Sequence, residues 1–82
     1  MPADAHADQC QSTLPPYVQQ FVDSHKVHRV QQAAPNLNVW IVEWEWTGRP
    51  VQDVVYLACN SEGEWLNFSG SYYSQACDHA RK

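Results

Sequence analysis

The chain has 82 residues, a formal net charge of −4, a hydrophobic share of 44% and an aromatic share of 12%. That length makes one small domain with a limited core. The acidic balance, with five scattered basic residues, excludes a nucleic-acid phosphate partner, which needs a basic footprint, and no apolar run approaches the roughly 18 residues of a membrane span.

Residues 1–13, "MPADAHADQCQST", are small and polar and read as a flexible N-terminal arm. They carry neither a basic n-region nor an apolar h-region. They read as a processed mature end, with a cytosolic N-terminus as the alternative. Residues 14–26 predict the one helix. Thr13 stands as its N-cap and Pro15 and Pro16 fall in its first turn, where a missing N–H is tolerated. Leu14, Tyr17, Val18, Phe21, Val22 and His25 recur at the spacing of an amphipathic stripe.

Residues 27–33 read as a short strand rich in β-branched positions, competing with continuation of the helix to Val30. Pro35 and Asn36 then mark a turn. Residues 38–47 are the clearest strand. Trp40, Val42, Trp44 and Trp46 alternate to one face, and Val39, Ile41, Glu43 and Glu45 to the other. Gly48 and Pro50 punctuate the next turn. Residues 51–59 form a second apolar strand, read as central. Gly63 turns the chain, and "WLNFS" gives a further strand. "GSYYSQAC" reads as an edge strand or loop, and residues 79–82 as a polar tail following a single domain over 14–78.

Loops this short join antiparallel neighbours, because parallel strands need long crossovers. The expected fold is α+β: one N-terminal amphipathic helix packed on an antiparallel β-meander of three to five strands. Two placements of the tryptophans remain open. In one, Trp40, Val42 and Trp44 pack under the helix against Tyr17, Phe21 and Val22. In the other, Val39, Ile41, Val55 and Leu57 take the helix, and the indoles form an open aromatic plate. In either case Trp44, Trp46, Trp65, Tyr72 and Tyr73 are the candidate binding residues, because aromatic side chains carry interface energy. "SGSYY" has the composition of an adaptable binding loop and equally that of an edge turn.

The three cysteines, Cys10, Cys59 and Cys77, include no C-x-x-C pair. One disulfide with one cysteine left over is the expected oxidised state, and all three pairings are open. A Cys59–Cys77 bridge would add roughly 3 kcal/mol on the chain-entropy account. This oxidised state goes with a secreted or periplasmic location; three thiols would go with a cytoplasmic one.

No motif fixes a chemistry, and no catalytic, metal or cofactor site is assigned. His25 and His28 would share a face only on a helix, with Cys77, Asp78 or His79 as a third metal ligand. A hydrolytic alternative pairs His25 or His28 with a cysteine, or uses Glu43 and Glu45, about 7 Å apart on one strand face. Each has a plainer reading as a packed histidine or a solvated carboxylate. The order of a helix followed by a small antiparallel meander is similar to that of PepSY-like and cystatin-like domains. That resemblance implies an extracytoplasmic inhibitory or binding module. The cystatin-type Gln-Val-Val-Ala-Gly motif is absent, and no functional residue is carried over. The expected function is a small non-enzymatic binding or inhibitory module engaging a protein partner or its own copy. Alternatives are a small metal-binding or hydrolytic protein and a cytosolic accessory or inhibitor protein.

Overall fold

The computed structural model describes residues 14–46, 48 and 51–82. The elements in chain order are α1 (Pro16–Ser24), β1 (Lys26–Gln32), β2 (Val39–Glu45), β3 (Gln52–Cys59), β4 (Trp65–Ser69) and α2 (Tyr73–Ala80). The four strands form one sheet in the order β1-β2-β3-β4, every neighbouring pair antiparallel. The fold is therefore an α+β meander, as the short loops require. Thr13, Cys10 and the expected arm lie outside the described residues, as do Thr47, Arg49 and Pro50.

α1 begins one residue after a buried Pro15, whose extended backbone (φ −62°, ψ 151°) serves as N-cap without a side-chain cap bond. It ends at Ser24, two residues short of the expected boundary. The Ser24 hydroxyl folds back to the Gln20 carbonyl at 2.8 Å, and His25 turns extended at φ −132°, ψ 160°. The β-branched Val27 and Val30 that follow favour the sheet. β1 therefore starts directly behind the helix, and the strand reading of this segment holds.

β2 decides the architecture. Its even positions face α1: Val18, Trp40, Val42 and Leu57 make a buried cluster, with Tyr17, Phe21, Val22, Val30, Trp44 and Trp65 packed against it. The tryptophan face is thus the helix-covered face, and the open-plate arrangement does not occur there. The pattern works because indoles fill much volume per position in a domain with few core positions.

The opposite face is covered as well, by an element the sequence did not announce. Residues expected as an edge strand or loop, and then as a polar tail, form α2. Ala76 and Cys77 bury against Val39 and Ala58, flanked by Leu37, Tyr56, Phe68 and Ala80. α2 lies over β3 and β4 and touches β2 lightly, so it covers one end of this face and leaves the Glu43–Glu45 end open. Among the described residues no helix is long and apolar enough to cross a membrane.

Candidate interaction surface

The five candidate aromatic residues do not form one surface. Trp44 is half-buried on the α1 face, edge-on to Phe21 (5.7 Å, 89°) and to His25 (5.0 Å, 82°). Its indole N–H, like that of buried Trp40, has no hydrogen-bond partner among the described residues. Trp46 follows on the same face, 4.8 Å from the Trp44 ring and 47% exposed. Its Nε1–H donates to Asp53 Oδ2 at 3.2 Å, while Asp53 Oδ1 accepts the Val54 amide at 2.8 Å. One carboxylate thereby fixes both the indole and the strand opposite.

Trp65 stands at the other end of that face. Tyr17 stacks on it at 5.0 Å and 4°, and the Tyr17 hydroxyl donates to Asn67 Oδ1 at 2.7 Å. Trp65 is half-buried and fastens the start of α1 to β4.

Tyr72 and Tyr73 lie across the sheet, at the start of α2, and are 50% and 41% exposed. The "SGSYY" stretch is the turn that sets them there. Tyr72 N–H donates to Ser69 O at 2.9 Å. Gly70 lies so close to Val54 that a Cβ would sit 3.1 Å from Val54 Cβ. Tyr73 meets Tyr56 at 5.1 Å. The Cys77 thiol beside its hydroxyl, with partial desolvation, holds the Tyr73 phenol above the usual tyrosine range. Tyr56, which the strand pattern placed only as a face residue, thus joins the tyrosine pair at the rim of the open end of the second face.

That open end is ionic. A bulge in β1 between Val27 and Arg29 inserts His28, so that Lys26, His28 and Arg29 all reach the β2 glutamates. His28 Nε2 lies 3.0 Å and Lys26 Nζ 3.3 Å from Glu45, and Arg29 lies 3.9 Å from Glu43. Hydrogen bonds from His28 and Lys26 hold the Glu45 carboxyl below its ordinary value. Both glutamates are therefore engaged in ion pairs.

The two histidines, which would share a face only if the helix ran on through His28, do not share one. α1 ends before them. His25 stacks on Phe21 at 3.9 Å within the α1 face, whereas His28 turns to Glu45 on the other. Cys77, Asp78 and His79, adjacent in sequence, also diverge: Cys77 points into the core, Asp78 pairs with Arg81 at 3.4 Å, and His79 Nε2–H donates to the Glu64 carbonyl at 2.9 Å. Among the described residues no three His, Cys, Asp or Glu side chains gather as a metal site.

Cys59 and Cys77 are both buried and are not bridged to each other. They belong to opposite faces: Cys59 follows Leu57 onto the α1 side, and Cys77 packs under α2. The Cys59–Cys77 candidate is therefore overturned by strand alternation. Pairings through Cys10 fall outside the described residues.

Among the described residues, depressions lie on both faces of the sheet. One, of about 210 Å³, is lined by Tyr17, Gln20, Phe21 and Ser24 on α1. The other, of about 320 Å³, runs between β4 and α2 and is lined by Leu66, Phe68, Gln75, Asp78, His79 and Lys82. Leu66, 49% exposed, was legible only as one face of a strand. Its exposure follows from β4 being an edge and from α2 stopping short of it. Comparison of the chain with protein-family models, with curated proteins and with solved structures finds no match.

Proposed function

We propose that the protein is a small non-enzymatic binding or inhibitory module that grips a protein partner through Tyr72 and Tyr73. The observation that supports this is their exposure, 50% and 41%, on a turn fixed by the Gly70–Val54 approach and the Tyr56 contact. Tyrosines held rigid before binding lose little conformational entropy on contact and present large amphipathic area. Trp46 is a third exposed aromatic, but it lies on the other face and serves a separate contact.

The test is a photo-crosslinking residue at position 72 of the full chain, expressed in its native cells. The expected result is one dominant crosslinked protein, lost when Tyr73→Ala is added. The same residue at exposed Gln19, on α1 across the sheet, gives no such product. Equal crosslinking from both positions, or none from position 72, overturns the reading.

Export is part of the proposal, as the expected oxidised state of one disulfide with one cysteine left over would require. Alkylation of protein from its native compartment with mass readout tests it. Three modified thiols would move the protein to the cytosolic accessory reading.

A further inference from the structure

We infer that β4 is the pairing edge of a homodimer, in which two copies join β4 to β4 into one continuous antiparallel sheet. This inference does not depend on the tyrosine surface.

The two edges of the sheet are treated differently. β1 carries the devices that keep an edge strand from pairing: Lys26 and Arg29, and a bulge at His28. β4, Trp65–Ser69, has none of them; it holds no charge, no proline and no bulge. In a chain of net charge −4, a neutral surface is one on which two copies meet with little repulsion. β4 supplies one, whereas β1 paired with itself would set like charges side by side.

The backbone is oriented for pairing. Asn60 N–H donates to Glu64 O at 3.1 Å, so the next pair, Cys59 with Trp65, is a wide one. Alternation along the ladder then turns the backbone groups of Trp65, Asn67 and Ser69 away from β3. Ser69 O is taken by Tyr72 N–H, which leaves its amide.

A two-fold axis at Asn67 sets Asn67 opposite Asn67 of the second copy, Leu66 opposite Phe68, and Trp65 opposite Ser69. Such a contact is self-complementary, as an isologous interface must be. It covers Leu66, which the edge position of β4 leaves 49% exposed. The axis also places both α2 helices antiparallel on one face, so that the depressions of about 320 Å³ beside each β4 merge into one.

Sedimentation of the full chain in reductant, from about 10 μM to about 1 mM, reads the assembly. The average mass is expected to rise toward twice the monomer. Leu66→Lys should weaken dimerisation at least about ten-fold with an unchanged circular-dichroism spectrum, since position 66 is half in solvent. Hydrogen exchange on the unmodified chain gives a second reading. The amides of Trp65, Asn67 and Ser69 should gain protection with concentration. A monomer throughout, or a dimer that a folded Leu66→Lys variant retains, overturns the inference. So does protection at those amides that is independent of concentration, which would mean that the chain covers its own edge.

Discussion

His79 donates its Nε2–H to the carbonyl oxygen of Glu64 at 2.9 Å, across fifteen positions of sequence. The bond joins the last turn of α2 to the β3–β4 hairpin, and the ring lies 6.1 Å from Phe68. Ser61 adds to the same seam by donating to Lys82 O at 2.8 Å. His79 is buried, so its removal leaves the Glu64 carbonyl with the Asn60 N–H alone and opens a gap beside Phe68. His79→Ala should cost roughly 2 kcal/mol, measured as a shift in the urea midpoint. Protease susceptibility should rise first in α2, since that helix loses its tether.

Asn60 organises the loop at the other end of the same seam. Its Oδ1 accepts the amides of Glu62 and Glu64 at 3.0 and 2.9 Å, and its Nδ2 donates to Glu64 Oε1 at 2.9 Å. Asn60→Ala should cost on the order of 1 kcal/mol, because two partly buried backbone hydrogen bonds lose their acceptor. Asn60→Asp keeps the acceptor but sets two carboxylates together. It should be less stable than the wild type near neutral pH, with the gap narrowing in acid as one carboxyl takes a proton. Urea titrations at the two pH values check both.

Glu45 links stability to pH. Its folded value lies below 4.5 because His28 and Lys26 hydrogen-bond to the charged form. A depressed carboxylate contributes stability above its unfolded value and loses it as pH falls through the folded one. The contribution of Glu45 is therefore complete in the neutral range and fades below about 4.5. Glu45→Gln should lower the urea midpoint near neutrality and leave it unchanged in strong acid. Because the network is exposed, molar salt should shrink the difference.

Gly70 has little room for a side chain. A Cβ there would lie 3.1 Å from Val54 Cβ and 3.2 Å from Val54 O, and the backbone oxygen cannot swing away. Gly70→Ala should cost on the order of 1 kcal/mol and move the tyrosine turn. Thermal melting gives the first effect. Loss of crosslinking from position 72 gives the second.

The legible parts of this fold are those whose apolar residues keep a period. Trp40, Val42, Trp44 and Trp46 recur at every second position, and Tyr17, Val18, Phe21 and Val22 repeat at helical spacing; both gave the right element, while the choice of sheet face under the helix stayed open until the structure placed Trp40 and Val42 against Val18. Asn36 and Gly63, at φ +65° and +82°, marked their turns by residue type. α2 escaped because its buried face is Ala76, Cys77 and Ala80. These residues are too small to stand out in a hydropathy pattern, and no side chain caps its start. They succeed because short side chains let the helix lie close against Val39 and Ala58. His79 was read as tail for a related reason: its partner Glu64 is distant in sequence and offers only a backbone oxygen. The separation of His25 from His28 turned on where α1 ends, a boundary set by Ser24 rather than by any glycine or proline. Of the candidate aromatics, the sequence supplied the residues but not their division between two faces.

The meander has a consequence for how the chain comes off the ribosome. Each strand pairs with its neighbour in sequence, so α1 and the four strands can assemble as they emerge, with little waiting for distant segments. The second face follows another schedule. Val39, Tyr56, Ala58 and Phe68 stay wet until Tyr73–Ala80 has cleared the exit tunnel, because the residues that cover them are translated after all four strands. During that interval the nascent sheet offers an apolar face that a chaperone or a neighbouring nascent chain can occupy, and the docking of one short helix brings it to a close.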